Sequence, residues 1–183
     1  AGVGDQIFCV FSLRDPVGAQ TSAQASTTIV SSAPTILDVS LSAEYAKVGD
    51  MVTCTGTAVD IDNENLDWTY EWKNSSGDVL SSEADFLLTV EKSEPETMVK
   101  CTATANDGVH SVSGDASLYI QNTKPEITAI SINPSSGFSY DSYQCNVSVS
   151  DADEDPVSLL YSWTIGSAVQ TTTGDTLYPP FSV

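Results

Sequence analysis

Along residues 66–73 apolar and polar positions alternate: Leu66, Trp68, Tyr70 and Trp72 share one face, and Asp67, Thr69, Glu71 and Lys73 the other. That period of two predicts a half-buried strand. Val157, Leu159, Tyr161 and Trp163 repeat the apolar half of the pattern. Val52 and Cys54 point one way in an earlier predicted strand, as Val99, Cys101, Ala103 and Ala105 do in a later one. Turn-forming stretches such as Asn74-Ser75-Ser76-Gly77-Asp78 and Asn106-Asp107-Gly108 separate the strands. Short alternating strands punctuated by turns predict an all-β fold, a sandwich of antiparallel sheets. Trp68, Tyr70, Trp72, Tyr161 and Trp163 are its expected core aromatics.

The pattern is written more than once. A shift of 91 residues lays Pro34 on Pro125, Asp50 on Asp141, Cys54 on Cys145, Asp60 and Asp62 on Asp151 and Asp153, and Trp72 on Trp163, with no gap. The start of the chain matches the other end of the repeat: GDQIFCVFSLRDPVG, residues 4–18, echoes ETMVKCTATANDGV, residues 96–109, and Cys9 falls on Cys101. Residues 33–123 are therefore expected to form a complete repeat. Residues 1–32 are expected to be the C-terminal portion of a repeat, and 124–183 the N-terminal portion of a third. The portions number 32 and 60 residues, 92 together, or one repeat within a single residue. The proline junctions SSAPTI and NTKPEI favour a stiff string of beads over a flexible tether.

Composition supports the β reading, since Ser and Thr make up about a quarter of the chain. Charge narrows the partners. Twenty-five acidic residues face six basic ones, a net charge of −19. Such a field repels phosphate backbones and anionic lipid, so neither nucleic acid nor a membrane surface is an expected partner. Divalent cations or a basic partner are its natural complements, and a solubilising surface is the plain alternative. No apolar run approaches the eighteen or so residues that span a bilayer, and membrane insertion is not expected. The start lacks the basic and apolar regions of a signal peptide, which reads as a mature product or a piece of something longer.

The run through Pro34, Asp50, Cys54, Asp60, Asp62, Tyr70, Trp72, Cys101, Asp107 and Gly108 resembles the Ig-like and PKD-like tandem repeats of microbial surface proteins. The tyrosine corner of antibody domains is absent, Val99 standing two residues before the second cysteine. The resemblance implies tandem immunoglobulin-like β-sandwiches, one complete domain flanked by two complementary partial ones. It also implies a stalk, adhesin or fibre at the cell surface rather than an enzyme. Cys54 and Cys101 then correspond to the inter-sheet disulfide on either side of the Trp strand. A bridge there places the chain outside a reducing cytosol.

Cys9 and Cys145 each lack a partner within their own portion. Either the missing halves lie on a longer array, or one subunit completes the next by donating strands across the joint. A Cys9–Cys145 intersubunit disulfide would lock such a joint, in a head-to-tail filament that does not close.

Three further sets of residues invite chemistry. The turns Asp60-x-Asp62-x-Glu64 and Asp151-x-Asp153-x-Asp155 set alternate carboxylates on a curled backbone, a supply of hard oxygens for calcium. The glycine and distant glutamate of an EF-hand are missing, and a solvated polar turn is the competing reading. Asn74-Ser-Ser and Asn146-Val-Ser match the acceptor pattern for N-linked glycans. Tyr45, Phe138, Tyr140, Tyr143 and Tyr178 are the rings that a second reading would use. In that reading the chain is an adhesin or carbohydrate-binding module, with a surface glycan or protein as ligand. His110 is the single histidine, in a predicted hairpin turn, and no nucleophile–base pair, metal cluster of His and Cys or phosphate loop accompanies it.

Overall fold

Alternation becomes a strand where a partner lies alongside to take the backbone hydrogen bonds. The structure, a computed structural model, describes residues 1–62 and 65–179, and among these there are fifteen strands and no helix. No helix there is long and apolar enough to cross a membrane. Two compact units emerge: Ala1–Tyr45 with Met51–Leu87 and Met98–Tyr119, and Ala46–Asp50 with Leu88–Thr97 and Ile120–Val183.

The first unit opens with a hairpin of β1 (Gln6–Arg14) and β2 (Gln20–Thr28), a two-stranded sheet paired antiparallel with Cys9 opposite Ala25. Its turn is closed by Asp15, whose carboxylate accepts from the N–H groups of Val17 (3.0 Å) and Ala19 (2.8 Å). Gly18 sits at φ +98°, where a side chain would be strained. Every position of both strands is exposed.

The strands that follow are β3 (Thr35–Leu41), β4 (Tyr45–Ala46), β5 (Met51–Val59), β6 (Asp67–Lys73), β7 (Val79–Ser81), β8 (Asp85–Leu87), β9 (Met98–Asn106) and β10 (Ser111–Ile120). One sheet runs β3-β5-β8 and the other β4-β10-β9-β6-β7. Cys54 on β5 and Cys101 on β9 are bonded, joining the two sheets. This all-β arrangement with its inter-sheet disulfide is consistent with a β-sandwich.

Registry explains the packing. β6 sets Trp68, Tyr70 and Trp72 opposite Ala105, Ala103 and Cys101 of β9, so each large ring meets a small neighbour. Trp72 is fully buried against Phe86, ring centroids 5.1 Å apart, and its indole N–H donates to Glu83 O at 3.0 Å. Trp68 and Tyr70 are half-buried. Gly56 on β5 is what Trp68 requires, since a Cβ there would lie 2.1 Å from Cζ3 of the ring.

In the second unit β11 (Glu126–Asn133), β12 (Tyr143–Ser150) and β15 (Thr176–Leu177) form a three-stranded sheet. β13 (Thr164–Ile165) and β14 (Ala168–Val169) form a small hairpin. The 91-residue offset governs this sheet in detail. The bulge that interrupts β3 between Ile36 and Asp38 recurs in β11 between Ile127 and Ala129. Val52 pairs with Phe86 in the first unit, and Tyr143 with Leu177 in the second.

One predicted element differs. Residues 157–163 carry the apolar alternation of β6 but are not in a strand. Trp163 is buried and Tyr161 half-buried, while Val157 and Leu159 are exposed. The reason is the partner: β6 is held by a seven-residue ladder to β9, and no strand among the described residues pairs with 157–163.

Candidate binding groove and acidic junctions

The inner face of β11 and β12 and the segment 157–163 enclose an open groove of about 960 Å3. Ile127, Ile130, Ile132, Val147, Leu159 and Tyr161 supply its apolar walls, and Cys145 lies within it. The comparison with β3 shows what is uncovered. Ile36 and Val39 are half-buried, and a Cβ on Gly114 of β10 would touch Val39 at 2.8 Å and Ile36 at 3.1 Å. Their counterparts Ile127 and Ile130 are 64% and 67% exposed. An apolar surface of this kind is uncommon on a solvated protein.

Beside the groove Trp163 repeats the anchoring of Trp72: its indole N–H donates to Gly174 O at 2.9 Å, 91 residues on from the Trp72–Glu83 bond. Where Cys54 meets Cys101, however, Cys145 is a free thiol, as is Cys9 on the exposed hairpin.

The two acidic turns share one hydrogen-bond pattern. Asp62 N–H donates to Asp60 Oδ1 at 2.7 Å, and Asp62 Oδ2 accepts from Ser32 N–H at 2.6 Å. In the second unit Asp153 N–H donates to Asp151 Oδ1 at 2.8 Å, and Asp153 Oδ2 takes a short bond from Thr123 N–H. Each turn thus ties down the chain two residues before a junction proline. Among the described residues, Asp60 Oδ2 and Asp153 Oδ1 are buried with no hydrogen-bond partner. Single oxygens of Asp151, Asp153 and Asp155 lie within 4.8 Å of one another, and the Asp153 side chain is buried at 5% exposure. Glu64, the third member of the first turn, lies outside the described residues.

Sequence reasoning found both turns but missed Ser32, Thr123 and Asn122, whose amide NH2 lies 2.9 Å from Asp155 Oδ2 and 3.2 Å from Asp153 Oδ2. Ser32 and Thr123 act through backbone N–H groups, which any residue but proline owns, so only their place before Pro34 and Pro125 marked them.

The remaining candidates fall apart spatially and chemically. Asn74 is half-buried, and its side-chain oxygen accepts from Ser76 and Asp78 N–H in a closed turn. Asn146 is exposed on β12. Phe138 and Tyr140 are exposed and stacked, centroids 5.2 Å apart and planes 7° from parallel, and Tyr178 is exposed as well. Tyr143 is half-buried, and its hydroxyl donates to Phe138 O at 3.1 Å. Tyr45 is exposed and meets Tyr119 edge-on. His110 belongs to a turn organised by Asp107, which accepts from His110 N–H (2.5 Å) and Val109 N–H (2.7 Å) and faces His110 Nδ1 at 3.2 Å. These bonds, led by His110 N–H, hold the Asp107 carboxyl below its ordinary value. Asp115 is lowered too, first by Thr102 Oγ1 and then by Lys100 Nζ.

A scan of the chain against protein-family models finds no match, and a search of curated proteins finds none either.

Proposed function

We propose that this is a structural, non-enzymatic extracellular protein, a filament or stalk subunit built of Ig-like, PKD-like tandem repeats. Copies join head to tail: the β1–β2 hairpin of one enters the groove of the next. The observation that carries this reading is the match between two strand pairs. β1 lies 92 residues before β9, strand bound for strand bound, and Cys9 and Cys101 each stand opposite an alanine, Ala25 and Ala116. The groove already holds Cys145, the counterpart of the cysteine that bonds Cys101.

Side-chain bulk supports the same docking. Within the first unit Trp68 lies over Gly56 and opposite Ala105. At the offset positions stand Leu159 and Val147, and the entering strand brings Leu13 where β9 has Ala105. The ring lost from one strand is replaced by methyl groups on the others. Ile7, Cys9, Phe11 and Leu13 form the entering face, and all are exposed in the free hairpin. Strand addition satisfies the open backbone, and the apolar face fills the groove. The two thiols then lose two protons and two electrons to a disulfide-bearing oxidant, which leaves as its dithiol. The Cys54–Cys101 bond is compatible with the oxidising location this requires.

A denaturing gel run with and without reductant tests the reading. We expect a ladder that collapses to 19.3 kDa on reduction, and loss of the ladder in Cys145→Ser. A single 19.3 kDa band in both lanes, at concentrations where the protein is otherwise folded, defeats it.

A second reading, a ligand-binding adhesin or carbohydrate-binding module, is favoured by the exposed, stacked pair Phe138 and Tyr140. Parallel exposed rings are the kind of surface on which a sugar ring stacks. Glycan-array binding lost in Phe138→Ala would support it, and a blank array would remove it.

A further inference from the structure

The acidic turn of the second unit has an unanswered group at its centre. Asp153 is buried at 5% exposure, one carboxylate oxygen holds Thr123 N–H, and the other, Oδ1, has no partner. A buried carboxylate oxygen without a donor is costly unless a positive charge serves it. Around it the oxygens of Asp151, Asp153 and Asp155 converge within 4.8 Å.

Three carboxylates gathered this closely repel unless something positive stands between them. The Asn122 amide gives one answer, its NH2 group standing 2.9 Å from Asp155 Oδ2 and 3.2 Å from Asp153 Oδ2. That answer serves the oxygens that are already served or exposed. It leaves Asp153 Oδ1 buried and alone. We infer that Asp151, Asp153 and Asp155 bind a calcium ion.

Hydration and ligand number favour calcium over magnesium. Ligands held about 2.3–2.6 Å from one calcium ion can lie as far as about 5 Å apart, which covers the spacing seen here. Magnesium at about 2.0–2.1 Å holds opposite ligands no farther than about 4.2 Å apart and keeps most of its waters. Six to eight ligands are usual for calcium, so water completes the shell on the exposed Asp155 side. The ion would also fix Thr123, which shares Asp153, and so stiffen the chain just ahead of Pro125. The inference holds whether or not copies of the chain join.

Calorimetric titration of Ca2+ into the full, chelator-washed chain in about 0.15 M salt tests it. One site is expected, with a Kd near the 10⁻⁴–10⁻³ M range of extracellular modules, roughly. Asp155→Asn leaves the Thr123 bond in place and relieves a repulsion, so its calcium-free melting midpoint does not fall while calcium binds at least about tenfold more weakly. Glu91→Gln removes the same charge from an exposed site elsewhere and leaves the Kd unchanged. The proposal is overturned if wild type and Asp155→Asn give the same isotherm, if Glu91→Gln weakens binding equally, or if magnesium binds as tightly as calcium.

Discussion

Gly56 shows how much one missing side chain can decide. Trp68 lies where a Cβ on residue 56 would stand 2.1 Å from the ring, and relocation of an indole between two sheets has few outlets. Gly56→Ala is therefore expected to destabilise the first unit by about 1–3 kcal/mol, the usual cost of overpacking. Chemical denaturation measures this, and an unchanged midpoint refutes it. Gly56→Ala combined with Trp68→Leu, which recreates the Val147–Leu159 neighbourhood in part, should recover some of the loss. Asp107 and Asp115 make the corresponding electrostatic prediction. Both carboxyls are lowered in the folded chain, so their stabilisation is complete above the unfolded value near 4, roughly, and fades as pH falls through the lower folded value. Melting midpoints should fall on acidification below that value, and less steeply in Asp115→Asn than in wild type. Equal slopes would remove Asp115 from the account.

At the scale of elements the hairpin β1–β2 makes the sharpest case, being apolar on a face that nothing covers in the isolated chain. Replacing Phe11 and Leu13 by Ser should leave the thermal transition of the isolated chain almost unmoved. Each ring or branched chain buried on docking contributes about 1.5–3 kcal/mol, so the pair weakens association by at least about a hundredfold. Sedimentation velocity under reducing conditions, where no disulfide holds the joint, reads that change; equal sedimentation of both proteins would count against strand donation.

The strands β5, β6 and β9 were legible in the alternation of Val52 and Cys54, of Leu66 to Trp72, and of Val99 to Ala105. Residues 157–163 carry an equally clear pattern and form no strand, because a ladder needs two chains and periodicity describes one. The Cys54–Cys101 bond was legible from its place about Trp72. The clamps on Ser32 and Thr123 were not, since a backbone N–H leaves no mark in a side-chain alphabet. Asn122 was hidden for another reason: it stands thirty-one residues from Asp153, and only the folded turn brings them together.

For the whole molecule, charge works against the assembly proposed above. Every subunit carries −19, so joining two of them at low ionic strength works against a long-range repulsion. Salt screens that repulsion over about 10 Å at 0.1 M. Head-to-tail growth should therefore quicken as monovalent salt rises from millimolar to physiological levels, most of the gain appearing in the association rate. Light scattering after mixing follows it, and growth that slows with salt would point to an attractive polar joint instead.

The inter-sheet bond has a mechanical meaning as well. Cysteines 47 positions apart are tied at a Cα separation of 6.5 Å, so a pulling load crosses the bond and bypasses the intervening chain. Roughly 160 Å of slack, at about 3.4 Å per residue, is withheld for as long as the sulfurs stay joined. Stretched singly by optical tweezers, the protein should lengthen by that much more after treatment with a thiol than before it. A tether made of such links would stop short under strain and give way only when its surroundings turned reducing.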